Sequence, residues 1–221
     1  MNNKEAGPIG VVIVAADPYV RAQITQALGT ASDVRVLGAY ACVNEAGSAP
    51  ARPRPDVAVL ALSPPGDSDG RCLGALRALL PETPILAVAS KVGREGVRSV
   101  LAAGAGGYFS SEGGLDGLVE AVREVQAGRM FLCPRAAAHV GDFARAVPAE
   151  MPAIGALTDR QKEVLACAAR GLADKEIADH LKISAATART HMERIRERLG
   201  VPTRTAAVAL WLAATAGRPS A

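Results

Sequence analysis

The chain has 221 residues, room for one medium domain and a small one. With 49% apolar but only 3% aromatic residues, its cores must be built from Ala, Val, Leu and Ile, which argues against aromatic-rich sandwiches. Residues 1–150 carry 14 Lys and Arg against 15 Asp and Glu, whereas 151–221 carry 11 against 7, so the C-terminal part is the basic one and points to a polyanionic partner.

From Ile9 to about Ala127, short apolar runs alternate with helix-like segments. The runs are IGVVIVA, VRVLGAY, VAVLAL, PILAVAS and GYFS, and the segments between them begin near Pro18, Asn44, Gly70, Arg94 and Leu115. Continuous apolar strands without polar alternation are what a parallel sheet covered on both faces requires. The expectation is an α/β, doubly wound, five-stranded (βα)5 domain over residues 8–128. Its second helix should be short, because Gly47, Pro50, Pro53 and Pro55 crowd the approach to strand three.

After Gly128 the pattern fades, and 129–154 reads as a linker holding one helix, roughly Arg135 to Arg145. Residues 155–217 then read as a small all-α domain of four helices. Thr158 with Gln161 fits a capping box opening the first helix, and Gly171 is its stop. The second helix spans Asp174 to Leu181, a three-residue turn runs from Lys182 to Ser184, the third spans Ala185 to Leu199, and the fourth runs from about Thr203 to Ala216.

No apolar run reaches the roughly 20 residues that cross a bilayer. The apolar start at Ile9 is broken at Asp17 and lacks the basic flank of a signal peptide, so no membrane partner is expected and the reading is cytoplasmic. Cys42, Cys72, Cys133 and Cys167 lie far apart, without CxxC or Cys/His spacing, and read as reduced thiols with no metal or other cofactor implied.

Two helices joined by a three-residue turn, the second of them basic, have helix-turn-helix geometry, in which the second helix enters the major groove. Ile183, Ala188, Met192, Ile195 and Leu199 fall near one stripe for burial, while Arg189, Thr190 and Glu193 lie elsewhere in the N-terminal half, where base edges are reached. The competing reading is a solvated Arg/Glu face laced by pairs such as Glu193 with Arg196 and Arg194 with Glu197. The run from Leu157 to Leu210 resembles the LuxR-type DNA-binding domain that closes NarL/FixJ-type response regulators, through Leu157-Thr158, Glu163-Val164-Leu165, Gly171, Lys175-Glu176-Ile177-Ala178, Thr187, His191, Leu199-Gly200 and Arg204. That resemblance implies base reading by Arg189, Thr190 and Glu193, and phosphate contact by Lys175, Thr187, His191, Arg194 and Arg198. Glu193 departs from the basic or small polar residue common there; an acid can accept from cytosine N4 but repels phosphate. For His191, a half-buried structural role competes with a DNA contact. The fourth helix, with Ala206 to Trp211, would pair with its copy in a dimer, although Trp211 could equally cover its own core.

A (βα)5 domain ahead of such a module resembles a receiver, which accepts a phosphoryl group on an aspartate with a Mg²⁺ held by carboxylates. Here the acidic pair falls on Ala15 and Ala16, the acceptor on Ala61, the hydroxyl residue on Ala89 with Ser90 one place later, and the lysine on Ser111. A methyl group can neither ligate a hard cation nor attack phosphorus. Asp17, Asp67 and Asp69 read as turn and capping residues. The resulting expectation is a non-enzymatic, sequence-specific transcriptional regulator that acts as a dimer on a pseudo-palindromic double-stranded DNA site without aspartyl phosphorylation. Two alternatives share the same residues: a regulator whose vacated pocket takes a small molecule, and a heterodimer partner of a related regulator.

Overall fold

The computed structural model describes residues 7–49, 53–62, 68–139, 154–201 and 203–215. Its first half alternates strand and helix: β1 (Ile9–Val14), α1 (Pro18–Gly29), β2 (Val34–Tyr40), α2 (Val43–Ser48), β3 (Val57–Ala61), α3 (Ser68–Leu79), β4 (Ile85–Ala89), α4 (Arg94–Ala102), β5 (Gly107–Ser110) and α5 (Leu118–Gln126). The strands are all parallel, and the first five stand in the order β2-β1-β3-β4-β5. The doubly wound reading therefore holds, with a sixth strand, β6 (Phe131–Leu132), added beside β5. Two residues are too few to show a period, so only tertiary pairing reveals this strand. Phe131 stacks on Phe109 with ring centroids 6.1 Å apart, and α6 (Pro134–Ala137) follows. The sheet thus continues past Gly128, into what reads in the sequence as linker. Much of the helix expected there, residues 140–145, lies outside the described residues.

Alternation along each strand sends its side chains to two apolar layers. Val11 and Ile13 of β1 join Val57, Val59 and Val88 under α1 and α5, with Ile24, Leu28, Leu118 and Val122 closing that face. Val12 and Val14 join Ala58, Leu60 and Ala87 on the other face, under Leu73, Leu76, Val97 and Leu101 of α3 and α4. The turn after β1 is set by Asp17, whose carboxylate caps α1 by accepting from Tyr19 N at 2.7 Å and Val20 N at 3.2 Å, with Pro18 preset for the first turn. The helix expected from Leu115 begins at Leu118 instead, because Gly117 stands at its N-cap with φ of 87°.

Gly107 carries a constraint invisible in its own stretch of sequence. A Cβ there would lie 2.9 Å from the Phe131 carbonyl oxygen and 2.9 Å from Val125 Cγ2. Gly107→Ala should therefore lower unfolding stability by about 1–3 kcal/mol, as overpacking against backbone does. Urea unfolding followed by circular dichroism checks this, and an unchanged midpoint would mean that β6 moves aside freely.

The second half is helical: a 3-10 turn (Ile154–Ala156), then α7 (Asp159–Ala169), α8 (Asp174–Leu181), α9 (Ala185–Leu199) and α10 (Arg204–Thr215). The capping box is present at α7: Gln161 N donates to Thr158 Oγ1 at 3.3 Å and Thr158 N to Gln161 Oε1 at 3.0 Å. Between α8 and α9, Lys182 adopts a left-handed conformation with φ of 54° and Ser184 caps α9 by accepting from Thr187 N at 3.0 Å. Val164, Leu165, Ile177, Ala188, Ile195, Leu199 and Ala207 are fully buried in the shared core. This core is continuous with the α3–α4 face of the sheet, and α10 packs on α4. Among the described residues no helix is long and apolar enough to cross a membrane.

Candidate DNA-binding surface and strand-end pocket

Helix α9 buries one stripe, Ala188, Met192, Ile195 and Leu199, against α7 and α8. The opposite side is open: Thr187, Arg189, Thr190, Glu193, Arg194 and Arg198 are exposed, as is Lys175 on α8, while His191 is half-buried. The structure thus brings the expected base-reading residues Arg189, Thr190 and Glu193 onto one solvent-facing surface at the start of α9. Their local bonds differ. Thr190 Oγ1 donates back to Ala186 O at 3.0 Å, and the Thr187 and Ser184 hydroxyls lie 2.8 Å apart. Arg189, with 71% of its side chain exposed, has Nε 3.7 Å from Asp174 Oδ2. Asp174 is held more firmly by Arg204, which also donates to Leu172 O.

Arg198 carries internal bonds beside its exposed position. Its Nη1 donates to Ala156 O at 3.1 Å and to Gln161 Oε1 at 3.2 Å, so it ties α9 to the cap of α7. A phosphate contact would have to compete with these bonds. This tie joins residues far apart in the chain and left no local signal. The histidines stay modest: His180 Nε2 lies 3.1 Å from Arg170 Nη2 at the surface, and His139 is half-buried.

In the first half, strand pairing places the expected pocket positions at one edge. Ala61 ends β3 opposite Val88, Ala89 ends β4 opposite Ser110, and Ala15 continues β1 by donating its N–H to Tyr40 O at 2.9 Å. Ala15 and Ala89 are buried, Ala61 is half-buried, and Ala16 and Ser90 are exposed. Ser111 closes the edge by donating from both N and Oγ to Ala89 O, at 2.8 and 3.2 Å. A cation does stand there, and sequence reasoning missed it. Arg21 Nη1 donates to Ala15 O at 2.6 Å and to Ala16 O at 3.4 Å. Asp17 is spent on capping, Asp67 and the Asp69 side chain lie outside what is described, and no group of three or more metal-binding side chains forms among the described residues.

The halves meet through α10 on α4 and through charge. Arg129 chelates Glu124 with two bonds of 2.7 Å, and its Nη1 lies 3.5 Å from Glu176 of α8. The Arg129 hydrogen bonds hold the Glu124 carboxyl below its ordinary range, against a smaller opposing effect of burial. On the far face the Arg123 fork, bonded to Asp33 at 2.9 Å through both Nε and Nη2, lowers that carboxyl in the same way.

A parallel (βα) sheet followed by a four-helix module with an exposed, basic second helix after its turn defines a two-domain regulator with a helix-turn-helix output. Comparison with known proteins agrees. Residues 155–211 match the family described as bacterial regulatory proteins, luxR family. The chain is 30% identical over 200 residues to the DNA-binding transcriptional activator DevR/DosR of Mycobacterium tuberculosis, covering 90% of this chain and 92% of that protein. It is likewise 30% identical over 203 residues to the response regulator VraR of Staphylococcus aureus, covering 90% and 94%. RcsB of Salmonella typhimurium shares the fold at 20% identity and a TM-score of 0.53, over 88% of this chain and 93% of that one. The protein belongs to the luxR family of DNA-binding transcriptional regulators, in its two-domain response-regulator form.

Proposed function

We propose that this protein is a sequence-specific DNA-binding regulator that works in the cytoplasm as a dimer and does not use aspartyl phosphorylation. One observation carries the phosphorylation part: the strand ends present methyl groups at Ala15, Ala61 and Ala89, and the nearby cation is the Arg21 guanidinium on the β1 carbonyls. Metal-assisted phosphoryl transfer needs a nucleophilic carboxylate and acidic metal ligands. A guanidinium bonded to carbonyls supplies neither. DNA reading is assigned to Arg189, Thr190 and Glu193, with Lys175, Thr187, Arg194 and His191 toward phosphate and Arg198 divided between phosphate and its internal bonds. The dimer reading draws support from solved structures described as two RcsB dimers bound to two parallel DNAs. A two-fold dimer predicts half-sites about one helical turn apart. In the present arrangement α10 lies on α4, and Leu210, Trp211 and Leu212 are half-buried, so pairing through α10 would require the domains to part.

The test is DNA binding by the purified full chain with and without acetyl phosphate and Mg²⁺, on fragments recovered by genome-wide crosslinking. Equal affinity in both conditions is expected; tighter binding after phosphodonor treatment would overturn the reading. Restoring the acceptor alone should fail as well. In Ala61→Asp the new carboxylate would face Ala15, Ala16, Ala89 and Ser111 without metal ligands, and such groups act as a unit, so one replacement recovers little rate. Intact mass spectrometry after treatment should show no stoichiometric phosphoryl addition. Full addition would mean that another acid completes the metal site.

A further inference from the structure

Gln161 is a polar side chain in an apolar surrounding, only 4% exposed. A buried amide is costly unless its groups are bonded, and its carbonyl oxygen has two lone pairs to satisfy. The capping box of α7 uses one of them, through Thr158 N at 3.0 Å. The other receives Arg198 Nη1 at 3.2 Å, from the last turn of α9 and 37 residues along the chain. The same Nη1 donates to Ala156 O at 3.1 Å, at the end of the 3-10 turn that precedes α7. Arg160, the neighbour of Gln161, reaches the other way. Its Nη2 donates to Leu181 O at 2.8 Å, on the last residue of α8 just before the turn into α9. Two adjacent residues in the first turn of α7 therefore hold both the approach to α9 and its far end, on either side of a helix about 22 Å long.

Apolar packing gives α9 most of its support, but it is non-directional and constrains slide and rotation of the helix weakly. Hydrogen bonds are directional and fix both. Base edges need that precision more than phosphates do, because a bidentate contact tolerates little displacement whereas charge acts over several ångströms. We propose that Gln161 and Arg198 form a positioning pair that holds α9 in register for base reading, with Gln161 itself too buried to touch DNA. The inference rests on the assignment of Arg189, Thr190 and Glu193 to base edges. It gives the internal bonds of Arg198 a task of their own, which is sequence discrimination rather than added affinity for phosphate. Because Ala156 O shares the guanidinium, the pair also ties the 3-10 turn ahead of α7 to the recognition helix.

Fluorescence anisotropy of the full-length protein, on a duplex recovered by genome-wide crosslinking and on a scrambled one, tests the pair, with circular dichroism checking that each variant is folded in the assay. Gln161→Met removes the acceptor at similar volume and should weaken specific binding about tenfold, the equivalent of one charge-assisted bond, while random duplex is bound as by the parent. Gln161→Glu keeps an acceptor for both Thr158 N and Arg198 and should restore discrimination. Thr158→Ala weakens the helix cap but leaves the pair, so it should lower unfolding stability without changing specificity. If Gln161→Met does not fold, Arg198→Gln decides. Loss on the specific duplex alone, at an unchanged salt dependence, upholds the pair; equal loss on both duplexes with a shallower salt dependence assigns Arg198 to phosphate and overturns it. Parental specificity in Gln161→Met, or the same loss of specificity in Thr158→Ala, also overturns it. A parent protein that binds both duplexes alike, or is indifferent to Arg189→Ala, would reject the base-reading assignment and the pair with it.

Discussion

Ile195→Ala should destabilise the C-terminal domain by about 2–5 kcal/mol, the cost of an aliphatic truncation that leaves a cavity in a packed core. Ile195 is 0% exposed and lies in the stripe of α9 packed with Val164, Leu165 and Ile177. A loss of that size is comparable with the whole stability of a small domain, about 5–15 kcal/mol. DNA binding should fall with it, because this packing is the main support that aims α9. Trp211 is the chain's one tryptophan and sits in α10 against the same core, so its fluorescence during urea unfolding reports on this domain. A shift under about 1 kcal/mol would show that α9 is held by its surface bonds rather than by burial.

Arg189→Ala should produce the largest change in recognition, lowering affinity for the specific site by about 1–3 kcal/mol and random duplex much less. Arg189 is exposed in the first turns of α9, and its nearest acid, Asp174, is already engaged by Arg204. An exposed ion pair at 3.7 Å contributes little, so the arginine can leave it for a guanine edge at small cost. Fluorescence anisotropy on a specific and a scrambled duplex at two salt concentrations separates the roles. Equal losses on both duplexes, with a shallower salt dependence, would place Arg189 on phosphate instead.

The order of strands and helices was legible because each signal is local. Valine-rich runs recur between capped helices, Asp17-Pro18 announces α1, and Thr158 with Gln161 announces α7. Ala185–Leu199 emerges with its expected ends because Ser184 caps one and Gly200, with φ of 65°, terminates the other. The stripe of Ala188, Met192, Ile195 and Leu199 likewise follows from the helical period alone, and it left Arg189, Thr190 and Glu193 outside by default. The alanines aligned with the strand ends were readable for the same reason, since strand ends are set by the local apolar run.

What the chain order could not carry were contacts between residues distant in sequence. Two residues, Phe131 and Leu132, become a strand only because β5 offers an unpaired edge and Phe109 a stacking partner. Gly107 is constrained by the Phe131 carbonyl, and Arg198 is tied to Ala156 and Gln161. Arg21 reaches the end of β1 because the first turn of α1 folds back over it. By itself the sequence determined the elements and the residue types offered to DNA, since propensity, capping and periodicity act over a few neighbours. Tertiary structure alone decided which charges are tied and to which partners, because that depends on elements meeting in space.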